Sequence, residues 1–269
     1  MSKILVIGVG NAGRNVCKKL KDDGLSDAEF VTFGGYQNDD RNDIPHYNFV
    51  KRSLYPGYPP EVYKAFAEKI LMILGNSLKS MYRQNIVVFT GAGISAESGL
   101  QTFRGTNGMW EDYKVEEVAS IEAWKNNPEL VLEFYNKRRR EIANTVPNSA
   151  HYAIAKLEEK YNVTVVTQNV DDLHEWAGSS NIIHLHGEIT KARSENDDSF
   201  TTYDIGHNDL HIGDLAPDGS QLRPHIVWFG EKVMGMYRAA EAVKKADIMI
   251  IIGTSLKVYP AAVLVVTGG

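Results

Sequence analysis

The chain has 269 residues, 43% hydrophobic and 23% charged, with a formal net charge of −5 at pH 7. That is enough apolar material to bury the core of one or two domains, and the interspersed, slightly acidic charge excludes a nucleic-acid footprint. A single cysteine, Cys17, excludes an internal disulfide and a thiolate zinc site, and no apolar stretch approaches the ~18 residues that would cross a bilayer, so a cytoplasmic location is expected.

In chain order, Lys3-Ile4-Leu5-Val6-Ile7 predicts a strand, Gly8 to Gly13 a Gly-x-Gly-x-x-Gly turn, Arg14 to Lys21 a helix ending near Gly24, and Phe30 to Phe33 a second strand. This is half of a nucleotide-binding fold. A dinucleotide ribose calls for an acidic residue at the end of the second strand, where this chain carries Gly34-Gly35. The Pro- and Gly-rich stretch Ser53 to Pro60 predicts a loop before a helix over 61–73, and a domain boundary is expected near 76–84. Residues 1–80 therefore form a partial Rossmann-like module with its linker.

Ile86-Val87-Val88-Phe89 predicts a buried strand running into a glycine-rich turn. Gly91 and Gly93 would let backbone approach a phosphate, and the helix start expected after them would offer free N–H groups; a tight structural turn explains the same glycines. Further on, Tyr135 and Arg138 are spaced i, i+3 and share one face of a predicted helix. A phenol and a guanidinium so placed can hold a carboxylate. The run Lys137 to Arg140 on this helix is expected to be a solvated face.

Val163 to Thr167 predicts a second buried strand, delivering Gln168, Asn169, Val170, Asp171, Asp172 and His174. Asn169 and Asp171 suit either ligand binding or the capping of the next helix. His184 and His186 stand two apart, and periodicity alone does not choose between them. His207 and His211, with Asp204, Asp209 and Asp214, read as solvated loop residues, with no metal expected. Ile248 to Ile252 is a third continuous apolar strand, delivering Gly253-Thr254-Ser255. Such strands belong to a parallel sheet covered on both faces, with ligands beyond their carboxyl ends, so three strand ends converge on one crevice.

The blocks GAGISAESGLQTFRG, TQNVDDLH, HLHGE, IVWFGE and GTSLKVYPAA, in that order between about residues 85 and 262, resemble the sirtuins, the NAD-dependent protein lysine deacylases. The resemblance implies an α/β fold with a Rossmann-like parallel sheet, helices on both faces, and a small insertion at about 189–224 within a catalytic domain over 81–269. It implies His186 as general base, Asn169 orienting a ribose or a water, and Asp171 holding the nicotinamide carboxamide. NAD would be met by Gly91, Ala92, Gly93, Ser95, Gln168, Asn169, Val170, Asp171, Gly253, Thr254 and Ser255. Phe103 would shield the reactive ribose and Arg104 would meet phosphate or support their loop. An acyl-lysine peptide would add as a strand between Val227, Trp228, Phe229, Gly230 and Glu231 on one side and Val258, Tyr259 and Pro260 on the other. Tyr135 and Arg138 match the Tyr-x-x-Arg pair of sirtuins that remove succinyl and malonyl groups, with Ala119 widening the pocket.

The chain departs from the pattern in three ways. The two Cys-x-x-Cys pairs that hold a zinc in most sirtuins are replaced between 191 and 223, so the insertion is expected to be zinc-free, as in some bacterial members. The strand and helix that sirtuins place after the match of Pro260-Ala261-Ala262 are not found, so a shortened catalytic domain is expected. The first 80 residues loosely resemble the start of bacterial tubulin-like GTPases, without the later phosphate loop. The implied activity is transfer of an acyl group from lysine to ADP-ribose with release of nicotinamide. An NAD hydrolase or ADP-ribosyltransferase, or an inactive NAD-binding module, are the alternatives.

Overall fold

The computed structural model describes residues 83–102, 114–196 and 201–266, together with the strands at 4–9, 28–33 and 46–47. The first three strands, β1 (Ile4–Val9), β2 (Ala28–Phe33) and β3 (His46–Tyr47), form one parallel sheet in that order. Both N-terminal strands expected from the sequence are present. The glycine turn at 8–13 beyond Val9, the helix expected at 14–21, the loop at 53–60 and the helix at 61–73 lie outside the described residues.

The central sheet is parallel, in the order β10-β4-β5-β6, from β4 (Asn85–Thr90), β5 (Asn162–Thr167), β6 (Ile182–His184) and β10 (Ile248–Ile252). Phe89 stands beside Val166 on one side and Ile251 on the other, so the three strand ends are level. Alternate residues feed two cores. Val87, Phe89, Val166 and Ile251 pack with Ala239 and Val243 on one face, and Ile86, Val88, Val165 and Ile250 with Ile154 and Leu157 on the other. With both faces covered there is no polar side to alternate with, which is why the strands read as unbroken apolar runs. β1 runs close beside β10, the outer strand of this sheet.

Helices α1 (Val115–Val118), α2 (Ile121–Asn126), α3 (Pro128–Ala143) and α4 (Ser149–Leu157) connect β4 to β5. α3 starts where Asn127 accepts a hydrogen bond from the Leu130 N–H and Pro128 fills the first helical position; α4 starts on a reciprocal cap between Asn148 and His151. After β5 come α5 (Leu173–Trp176) and β6, and before and after β10 come α6 (Met236–Lys244) and α7 (Val263–Val266). No helix among the described residues is long and apolar enough to cross a membrane.

A second sheet, antiparallel in the order β8-β7-β9, is made by β7 (Gly187–Ser194), β8 (Thr202–Asp204) and β9 (Leu222–Ile226). It is knitted by side chains. Ser194 Oγ donates to Asp218 at 2.6 Å, and Arg193 and Arg223 both bind the Glu231 carboxylate, at 3.0 and 2.7 Å.

The basic run of α3 is not the solvated face expected. Arg139 is completely buried, donating to the Ile189 carbonyl of β7 and to Asn136 Oδ1, and Arg140 pairs with Asp209. Asn136 in turn grips the backbone of Leu210 in both directions. Sequence reading failed here because a buried guanidinium at a helix–insertion junction has the same local pattern as an exposed one.

Candidate active site

The carboxyl ends of β4, β5 and β10 open into a cavity of about 360 Å³. Gly91 N–H donates to Ile252 O at 3.0 Å and Gly93 N–H to Gly253 O at 2.8 Å, so the turns after β4 and β10 lie directly on one another. A Cβ at Gly93 would come within 2.8 Å of the Gly253 backbone. Both readings of these glycines therefore hold: they permit a close turn-to-turn approach, and the backbone of residues 91–93 lines the cavity. The helix expected after them is absent. Two single 3-10 turns, Ala92–Ile94 and Ala96–Ser98, stand in its place, and the N–H groups of Gly91, Gly93 and Ile94 are committed to carbonyls. The free N–H groups of a helix start, expected from sequence, are thus not available there. In the facing turn, Leu256 takes a left-handed φ of 52° while buried, a constrained backbone of the kind found at binding sites.

β5 delivers Gln168, Asn169 and Val170 into the cavity. Thr254 Oγ1 donates to Gln168 Oε1 at 2.7 Å and Asn169 Nδ2 donates to Ser95 Oγ at 3.1 Å, which aims both amides. Their other ends, Gln168 Nε2 and Asn169 Oδ1, are buried with no partner. A buried amide donor and acceptor left open in one cavity is a demand for a polar ligand, and the hydroxyls and carboxamide of a dinucleotide meet it. Gly253, Thr254 and Ser255 complete this wall.

Asp171 does not line the cavity. Its buried carboxylate accepts from Ser95 Oγ at 3.0 Å and from the Leu173 N–H at 3.3 Å, so it both caps α5 and anchors the Ser95–Asn169 link; burial raises its pKa against those hydrogen bonds. Ser95 likewise stands behind the wall. Phe103 and Arg104 lie outside the described residues.

Of the two histidines that spacing did not separate, His186 is the one in the cavity wall. Its Nδ1 lies 3.0 Å from the Gln168 carbonyl, which fixes Nδ1 as the protonated nitrogen and leaves Nε2 as the basic one. Burial lowers its pKa, partly countered by that hydrogen bond, so the ring is neutral at pH 7 and able to take a proton. His184 faces away from the cavity, between the Asn169 carbonyl at 3.2 Å and Glu175 Oε1 at 2.7 Å.

The opposite wall is formed by Ala119, Tyr135 and the segment Val227 to Glu231, with Val258 and Tyr259 across the opening. Trp228 is buried and donates from Nε1 to the Tyr135 hydroxyl at 3.1 Å. Glu231, expected at the substrate, has its carboxylate committed to Arg193, Arg223 and the Trp228 N–H. Arg138 is buried outside the cavity lining; it donates to Glu141 Oε2 at 3.2 Å and to the Gln101 carbonyl at 3.1 Å, next to the lining residue Thr102. Pro260 lines the cavity beside Val258 and Tyr259, while sequence reading missed Thr102, Ile226 and Val233 as lining residues. Thr102 and Ile226 lie inside motif blocks and were within reach, whereas nothing local marks Val233.

A parallel sheet with a crevice at its strand ends, two aimed amides and a neutral imidazole are what an enzyme acting on a dinucleotide by base catalysis requires. The Sir2 family profile matches residues 91–260. The NAD-dependent protein deacylase of Helicobacter pylori strain 26695 is 56% identical over 181 residues, covering 67% of this chain and 78% of its own, and that of Bacteroides thetaiotaomicron is 53% identical over 183 residues, covering 66% and 78%. Among solved structures, a Sir2 homologue bound to NAD superposes with a TM-score of 0.64 at 41% identity, covering 75% of this chain and 77% of that one. A Sir2 variant bound to a deacetylated peptide and 3'-O-acetyl ADP-ribose superposes with a TM-score of 0.62 at 32% identity, covering 75% and 83%. The chain belongs to the Sir2 family. It is an NAD-dependent protein deacylase, with NAD as co-substrate.

Proposed function

We propose that this deacylase removes acidic acyl groups, succinyl and malonyl, from lysine as well as acetyl. The observation that carries the reading is the Tyr135 hydroxyl in the cavity wall: it accepts from Trp228, which leaves its own proton to donate to a ligand. Arg138, one helical turn on, reaches the Gln101 carbonyl beside that wall, and a carboxylate entering there competes for its guanidinium with better geometry than a single carbonyl. Bound NAD supplies an electrophilic ribose carbon when nicotinamide leaves. The acyl-lysine chain is held between the apolar wall of Val227 to Gly230 and the Val258–Tyr259 edge, Asn169 and Gln168 orient the ribose, and His186 Nε2 accepts a proton from a ribose hydroxyl.

Residues 81–269 act as the catalytic domain in this reading, with 189–224 as its zinc-free insertion, Asp171 supporting the nicotinamide side from behind the wall, and residues 1–80 as a separate partial module. The single cysteine and the charge pattern support a cytoplasmic setting.

The test is product analysis with NAD and matched succinyl- and acetyl-lysine peptides. Nicotinamide and O-succinyl-ADP-ribose are expected, and Arg138→Met is expected to reduce succinyl removal at least tenfold more than acetyl removal. An unchanged ratio would remove the acidic-acyl reading, and nicotinamide released equally without peptide would favour hydrolysis of NAD.

A further inference from the structure

His184 is a titratable group with a side chain only 9% exposed, and the chemistry above leaves it without a task. It sits at the end of β6, two residues before the base, and its two ring nitrogens face only acceptors: the Asn169 carbonyl at 3.2 Å and the Glu175 carboxylate at 2.7 Å. A neutral imidazole has one N–H and one lone pair, so it would turn a lone pair toward one of those oxygens. Only the imidazolium donates to both.

The surrounding charges agree. Glu175 comes from α5 and Glu188 from β7, with the Lys191 ammonium 2.7 Å from Glu188. Asp171 also interacts favourably with the cation, and the neighbouring His174 is held neutral by burial. Burial opposes the charge on His184, but the hydrogen bond and charge of Glu175, with help from Glu188, outweigh it and raise the pKa. Glu175, His184 and Glu188 are also close enough to suggest a metal cluster, yet with Lys191 present the two carboxylates already face two cations.

The carbonyls of Gln168 and Asn169 are successive, and they receive the rings of His186 and His184 respectively. One short stretch of backbone therefore sets both the tautomer of the base and the aim of the Asn169 amide.

We propose that His184, as an imidazolium held by Glu175, is a positioning residue for deacylation: it pins the Asn169 carbonyl and through it the geometry of Asn169 and His186. The proposal rests on the deacylase reading. Loss of the proton or of the ring frees the Asn169 carbonyl without touching the peptide wall, so kcat falls and peptide KM does not.

Two measurements on the full chain test this. In a histidine-selective 15N NMR titration, His184 is expected to carry protons on both nitrogens at pH 7. Glu175→Gln, a change at a side chain that is 42% exposed and so safe for folding, is expected to lower the midpoint of that titration by about one pH unit and to shift the alkaline limb of kcat with it. His184→Phe, which keeps the ring volume, is expected to lower kcat by roughly ten- to hundredfold with peptide KM unchanged.

A neutral His184 at pH 7 would overturn the proposal, as would a Glu175→Gln profile that does not move. Wild-type protein that consumes no NAD with acyl peptides would instead overturn the deacylase reading, and the positioning role would fall with it.

Discussion

At residue 186, burial weakens the imidazole as a base while the Gln168 carbonyl strengthens it, and burial wins. The sign of the pH dependence follows. The neutral ring persists as pH falls below the ordinary histidine value of about 6.5, and activity is lost only when the ring gains a proton at lower pH. The acid limb of the kcat/KM profile is expected below pH 6.5, and a midpoint above that value would contradict the assignment. His186→Ala is expected to cost at least a hundredfold in kcat with little change in melting temperature. The placement of this ring was legible: the strand, the His-Gly-Glu block and the cavity-facing ring agree. The position of Asp171 behind the wall was not, because a carboxylate that braces a neighbour and one that meets a ligand occupy the same place in a motif.

Among the elements, the junction between β6 and β7 constrains the site most tightly. Gly187 follows the base with φ at 91°, and a Cβ there would come within 2.0 Å of the His225 carbonyl on β9. Gly187→Ala is expected to force β7 and β9 apart, move His186, and abolish deacylation; activity within twofold of wild type would show that the junction yields. Across the insertion, Glu231→Gln strips a partly buried carboxylate from two buried guanidinium groups, which is expected to lower stability by on the order of 2 kcal/mol in chemical denaturation.

The β-strands of the central sheet were readable because a buried parallel strand is apolar at every position. The insertion was not: its sheet forms from polar sequence held by long-range contacts such as Ser194 to Asp218 and Arg139 to Ile189, and no local periodicity encodes partners far apart in the chain. The single 3-10 turns after β4 escaped for a related reason. Gly91 and Gly93 are shaped by the Gly253 turn, which arrives from the other end of the domain.

For the whole molecule, several histidines are buried in neutral form. His151 and His225 are each lowered to about 4, chiefly by burial, and His174 is lowered well below its usual value. A lowered folded-state pKa means that the unfolded chain binds more protons, so this contribution to stability is complete above about pH 6.5 and fades as pH falls toward 4. The loss from His151 alone is on the order of 3 kcal/mol. Denaturant midpoints are expected to decline steeply across that window, and a flat profile between pH 6.5 and 4 would contradict the burial of these rings. His184 carries the opposite sign, so its contribution is complete below about pH 6.5 and is lost as pH rises through its raised folded-state value.

The carboxylate of Glu231 touches Arg193, Arg223 and the Trp228 backbone, and Arg223 stacks 3.3 Å above the Trp228 ring. If acyl-lysine binds along this wall as proposed, cargo pressed against that indole is expected to be felt in the outlying lobe: deuterium should enter the amides of β7 and β9 more slowly when the channel is filled, and any lesion that loosens the lobe should weaken the grip on cargo.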